Sequence, residues 1–266
     1  MGNFTLGRYL PLNSPIHRMD PRAKIMAMLL VLITIFFPAG WLGYAIIFAC
    51  AAVIIIVAKL SVSFIWKAMK PMLFMLVFLL LINILVVKTG SVWLTIGSFT
   101  VYSDAVTQTL YIAVRLLLMI MITTCLTATT KPLEMTLGIE DLLSPFQKIG
   151  LPSHEIAMLI SIALRFIPDL IDETARIMKA QESRGVDMKE GKLMERVMAI
   201  LSLIVPLFVS AFQRAEDLAN AMEARGYAPG EPRTRYKQLK MQAKDWLLIV
   251  GCCTLMGIII WIAWFK

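Results

Sequence analysis

Two stretches of this chain carry nearly the same side chains in the same order. Ala180-Gln181-Glu182-Ser183-Arg184-Gly185 returns 41 positions later as Ala221-Met222-Glu223-Ala224-Arg225-Gly226. Each closes a segment that reads as one long helix, Glu155–Ser183 and Leu193–Ala224 respectively. Gly just past the last turn takes a left-handed cap without steric penalty, and a cation in the last turn meets the negative end of the helix dipole. Helix termination therefore accounts for either hexad alone. Its repetition in two helices of similar length points further, to two similar acceptor sites. Arg supplies a planar, permanently charged fork that suits a carboxylate held in a partner's groove. The chemistry on offer is docking through Ser183, Arg184, Gly185 and Ala224, Arg225, Gly226.

Other chemistry finds no support. There is no Gly-x-x-x-x-Gly-Lys-[Ser/Thr] phosphate loop; the nearest approach, Gly185 to Gly191-Lys192-Leu193, has the wrong spacing and lacks the hydroxyl for magnesium. Any ATP must be hydrolysed by another chain. Cys50, Cys125, Cys252 and Cys253 all lie in apolar runs and read as small buried hydrophobes. With His17 and His154 the sole histidines, no metal-ligand spacing arises. No nucleophile–base arrangement is visible. The expectation is a protein that is not an enzyme and needs neither cofactor nor metal.

The elements that must carry the arginines are mostly apolar. The chain is 59% hydrophobic and 17% charged, with a mean hydropathy of +0.76. Soluble domains run near 45–50% apolar and about 25% charged, so the excess needs lipid to cover it. Five runs read as membrane spans: Ile25–Phe37, Trp41–Ala58, Pro71–Val87, Ala105–Thr130 and Trp246–Phe265. The first has 13 residues, against the ~20 a crossing usually takes. Lys24 is expected to snorkel to the surface beside it, and Pro38-Ala39-Gly40 ends it abruptly. Trp246, Trp261 and Trp264 bracket the last run as interfacial anchors. The first 24 residues hold three prolines and no apolar core, so no cleavable signal peptide is expected.

The net charge of +8 falls in blocks. Arg8, Arg18, Arg22 and Lys24 precede the first run, Lys59, Lys67 and Lys70 separate the second from the third, and sixteen cations lie between Lys131 and Lys244. Basic residues on alternate loops set membrane orientation, which accounts for the charge without nucleic acid. The N-terminus, the 59–70 loop and 131–244 then face the cytoplasm, and the 88–104 loop and Lys266 face outward.

The chain thus divides into a membrane domain at 1–130 with four spans, a cytoplasmic coupling domain at 131–244 and a last span at 245–266. The middle part is unusual because Ile156–Leu164 and Val197–Phe212 are strongly apolar. Both are short for a span and flow into charged helix, which suits interfacial helices; two further crossings are the alternative. Pro168 and Pro206 mark either kinks or breaks in these helices. Arg115, about eleven residues into its span, should face the protein interior, paired with helix carbonyls or Asn83 or serving a functional contact.

Leu151-Pro152-Ser153-His154-Glu155, then Ala163-Leu164-Arg165-Phe166-Ile167-Pro168, then the two Ser/Ala-Arg-Gly helix ends follow in order. This series resembles the T component of energy-coupling factor (ECF) transporters, and the likeness runs the length of the chain. The first motif reads Ser-Arg-Gly where the family's pattern has Ala-Arg-Gly. The resemblance implies an all-α integral membrane protein, a scaffold in an ATP-driven importer of vitamins or metals in a prokaryotic cell membrane. It implies two ATP-binding-cassette ATPase partners, received by Arg184 and Arg225. It also implies a separate membrane-embedded S component that binds the substrate and rests on the apolar faces of about 153–171 and 197–212. Ile160 with Leu164, and Leu203 with Leu207, are spaced to share a face in each run.

The rival reading is a self-contained secondary transporter. Such proteins usually repeat their transmembrane halves around broken helices. Here the repeat lies in the segment 131–244, and acidic residues are missing from the spans.

Overall fold

The computed structural model describes residues 9–96, 99–145, 153–186, 193–228 and 239–265. They form an α-helical membrane protein with one small hairpin, in two compact units: 9–145 with 239–265, and 154–228. Two long helices make up the second unit. Residues 131–145, placed by sequence in the coupling domain, cluster with the first unit.

In the larger unit, α1 (Pro21–Ile35), α2 (Gly40–Val57), α3 (Val62–Val86), α4 (Ser103–Thr129), α5 (Pro132–Leu143) and α8 (Ala243–Trp264) pack together. α1 lies against α8, α5 and α4, and α2 and α3 both pack on α4. One end of the bundle core joins Ile35, Ala39, Tyr44 and Ile259; the other joins Ala58, Leu60, Ile65 and Ala128. The turn after α1 therefore sits beside the end of α8, and the turn after α2 beside the end of α4.

Polar contacts fasten the second of these ends. Asp20 caps α1 by accepting from Arg22 N, with Pro21 at the first helical position, where its missing N–H costs nothing. The Asp20 N–H donates to Asp245 Oδ1 at 2.9 Å, and the Gln242 N–H donates to Oδ2 at 2.7 Å. One oxygen of this buried carboxylate thus ties the start of α1 and the other caps the start of α8. The Lys24 ammonium donates to Thr129 O at 3.1 Å and to Thr130 Oγ1 and His17 O at 3.4 Å each. Leu10 N donates to Ala128 O at 3.0 Å. The starts of α1 and α8 and the end of α4 consequently share one end of the bundle.

Several expectations need correction. Lys24 does not snorkel; it is buried, because three protein oxygens replace water around its ammonium. The third helix starts nine residues before Pro71, so Lys67 and Lys70 are helical and the connection shrinks to 58–61. That turn carries the positive φ of Lys59, at 57°. Arg115 does not reach Asn83, whose amide donates to Thr109 Oγ1. It donates through Nε to the Tyr44 hydroxyl at 3.2 Å, with its guanidinium over the Phe36 ring. Cys125 and Cys252 are buried, whereas Cys50 and Cys253 are exposed on the apolar surface; all four are free. The 88–104 connection holds an antiparallel hairpin, β1 (Val92–Ile96) with β2 (Phe99–Tyr102), where Ile96 pairs with Phe99.

Among the described residues five helices are long and apolar enough to cross a membrane: α2, α3, α4, α8 and α7 (Leu193–Ala224). The sequence also gives five, but with the first apolar run in place of α7. α1 has 15 residues, roughly 22 Å at 1.5 Å per residue, and falls short on length alone.

Candidate functional site

The second unit is made by α6 (Ser153–Ser183) and α7. Both are continuous, so Pro168 and Pro206 lie inside helices and break neither. Pro in a helix interior removes one backbone hydrogen bond and its ring crowds the carbonyl four residues back, at a cost of about 3 kcal/mol, which both helices absorb without ending. The two helices run antiparallel where they meet. Arg214 of α7 bridges Asp169 and Glu173 of α6 at 3.5 Å each, and Gln181 Nε2 donates to Ser202 O at 3.3 Å.

Both helices finish in the same backbone device. In α6 the Gly185 N–H donates to Glu182 O and the Val186 N–H to Gln181 O, each at 3.0 Å. In α7 the Gly226 N–H donates to Glu223 O and the Tyr227 N–H to Met222 O, each at 2.9 Å. These are paired Schellman motifs, in which the residue past the end must turn left-handed. Gly185 and Gly226 do so, with φ of 82° and 72°. The hexads recur in sequence because the same six positions build the same turn.

This division of labour frees the arginines. The glycines and backbone satisfy the last carbonyls, and Arg184 and Arg225 occupy the cap position with exposed side chains. Among the described residues neither guanidinium makes an ion pair or hydrogen bond. Ser183 Oγ donates back to Lys179 O, so it points along its own helix. Ala224 is exposed and adds no polar group. Each motif thus presents an unpaired fork beside small neighbours on a rigid helix end, the geometry needed to enter a groove lined by carboxylate.

Toward their starts the helices are apolar, and much of that surface is exposed among the described residues. On α6 the exposed stripe runs through Ile156, Leu159, Ile160 and Ile167, while Leu164 is half-buried. On α7 it runs through Val197, Ile200, Leu201, Ile204, Val205, Phe208 and Phe212, with Leu203 and Leu207 half-buried beside it. Of the four residues singled out by spacing, Ile160 lies in the most open stripe and the other three flank it. Sequence spacing missed Phe208 and Phe212, whose rings pack edge to face at 4.9 Å; their i, i+4 spacing was the available signal. Within each helix the apolar and charged ends are far apart, although the antiparallel pairing brings the start of α7 beside the end of α6 through Gln181 and Ser202. From Leu164 to Arg184 is 20 residues and from Leu203 to Arg225 is 22, roughly 30 Å along each helix. Leu151 and Pro152 of the motif preceding α6 lie outside the described residues. Among the described residues no group of His, Cys, Asp and Glu is arranged to hold a metal.

An apolar helical bundle joined to two long helices, apolar at one end and tipped with matching free arginines, defines a membrane-embedded transport scaffold. Comparison with known proteins agrees: residues 12–236 match the CbiQ family, described as cobalt transport protein. The "Energy-coupling factor transporter transmembrane protein EcfT" of Listeria innocua is 42% identical over 262 residues, 98% of this chain and 99% of its own length. Its namesakes from Macrococcus caseolyticus and Bacillus subtilis are 45% and 43% identical over 261 and 259 residues, spanning 97–98% of each chain. The chain belongs to the CbiQ family, as a transmembrane T component of ECF transporters.

Proposed function

We propose that this chain couples two ATP-binding-cassette ATPases to a membrane-embedded S component in an importer of vitamins or other micronutrients. Arg184 and Arg225, each framed by its small neighbour and its capping glycine, are the ATPase-docking residues. The apolar stripes around Ile160 and Leu164 on α6, and Leu203 and Leu207 on α7, carry the S component. The N-terminus and 131–244 face the cytoplasm, where the ATPases hydrolyse ATP. α6 and α7 transmit their motion as rigid levers some 30 Å long. Their apolar halves lie along the membrane surface rather than crossing it.

The observation that supports this reading is the matched pair of Schellman ends with free guanidiniums. If the arginines served only to finish their helices they would bond the last carbonyls, and the backbone already does that. The test is the double variant Arg184→Glu with Arg225→Glu, co-expressed with the ATPases and S component. Removing one partner of a buried charged pair is strongly unfavourable, so ATPase capture should weaken by roughly 100-fold or more while the protein stays membrane-inserted. Wild-type capture by the double variant would return the arginines to a capping role.

A further inference from the structure

The larger unit contains a cleft that the coupling function does not use. It has a volume of about 480 Å³ and runs between α1, α2, α4 and α8. Its walls are almost wholly apolar, among them Met28, Val31, Ile54, Met121 and Leu248. Cys50, Val53, Leu247 and Gly251, all exposed, also line it, so it opens on the lipid-facing side between α2 and α8. Gly251 is open space: a Cβ added there would meet nothing within 4 Å.

At Met19 the cleft adjoins a second hollow of about 500 Å³, which is polar. Asn13, Ser14, Arg18, Gln242, Lys244 and Asp245 line it. Arg18 and Lys244 are exposed, and among the described residues neither side chain has an ion pair or hydrogen bond. Asp245 shares the hollow but is ion-paired to neither: it is 1% exposed, and its two oxygens accept the backbone N–H groups of Asp20 and Gln242. Lys24 adds a third cation at the same end of the cleft, with its protons spent on neutral oxygens. Trp246, 58% exposed, stands next to Lys244 as an interfacial anchor.

An apolar slot open to lipid, continuous with a cup holding two unpaired cations at the interface, matches one kind of ligand. Basic pockets between transmembrane helices take anionic lipid headgroups. We propose that this unit holds one anionic phospholipid, its acyl chain in the α1–α2–α4–α8 cleft and its phosphate between Arg18 and Lys244. Bound there, it joins α1 to α8 across the surface that the Asp20–Asp245 contact closes from within.

Native mass spectrometry of the full transporter complex, presented with phosphatidylglycerol and phosphatidylcholine in equal amounts, tests this. One phosphatidylglycerol should be retained in preference to phosphatidylcholine. Arg18→Gln with Lys244→Gln should weaken retention by roughly 30-fold, at the usual gain per basic residue near an anionic surface. Gly251→Phe should fill the slot and expel the lipid while leaving both cations in place; Gly251→Leu does the same if the larger ring prevents insertion. A millimolar excess of inorganic phosphate should not displace the lipid. Equal retention of the two lipids, or retention unchanged in both kinds of variant, overturns the proposal. Displacement by phosphate alone does so too, since it would make the cup a site for free anions.

Discussion

On the proposed reading Arg and Gly of each hexad have separable tasks, docking for the one and helix termination for the other. Gly185 and Gly226 hold positive φ, and a Cβ at either would meet nothing within 4 Å, so the obstacle to Ala is backbone strain, not space. Left-handed backbone costs a non-glycine residue about 1–2 kcal/mol. Gly185→Ala should therefore fray the last turn of α6, read as faster amide exchange at Arg184 through Val186, with milder loss of ATPase capture. Arg184→Glu should do the reverse: capture is lost while exchange at those amides stays as in the parent. Equal effects of both variants on both readouts would refute the separation. The repeat was legible because a Schellman end demands Gly at one position and the same hydrogen-bonding pattern around it. The Asp20–Asp245 contact was not, since it joins residues 225 apart that no periodicity relates. The burial of Lys24 is hidden from sequence for the same reason: its oxygens come from the end of α4.

Along single elements the sequence is most informative where the period is long and uninterrupted. The two coupling helices start and stop within two residues of the expected positions. The early start of α3 is obscured because Lys67, Lys70 and Pro71 break an otherwise apolar run, although one Pro removes only one helical bond. The hairpin has a signal of its own, two runs rich in β-branched and aromatic residues separated by Gly97 and Ser98, which the search for spans passes over. On α7 the exposures refine the platform. Phe208, at 63% exposed, and Ile204, at 48%, stand further out than Leu203 and Leu207. Asp at Ile204 or Phe208 should release the S component and keep both ATPases, because these side chains stand on the exposed apolar stripe and take no part in either Schellman end. Asp at Leu203 or Leu207 should release it less completely. Purified subunit composition decides this: ATPase loss with the S component retained would mean that the ends of these helices have been assigned the wrong way round.

At the scale of the molecule the remaining question is which helices cross, and the bundle constrains its own answer. The start of α1, the end of α4 and the start of α8 share one end through Lys24, Thr129, Asp20 and Asp245. The α2–α3 turn packs there too, through Leu60 and Ile65. A chain that begins α1 at this end and finishes α2 at it must have gone across and back. We propose on this ground that α1 spans with α2, although it is about 8 Å shorter than a typical ~30 Å hydrocarbon core, a mismatch that local thinning can absorb. Arg18, Arg22, Lys24, Lys59, Lys131 and Lys244 gather at the shared end, while Lys88 follows the far end of α3. On the proposed topology the positive-inside rule puts the shared end in the cytoplasm. Single cysteines introduced into a background lacking Cys50, Cys125, Cys252 and Cys253 test this arrangement with an impermeant thiol reagent. Ser91→Cys should react in intact cells, whereas Lys67→Cys, Ser183→Cys and Glu216→Cys should react only after permeabilisation. Labelling of Glu216→Cys from outside, with Ser183→Cys protected, would put α7 across the membrane. It would also make its exposed stripe a lipid-facing surface instead of a platform.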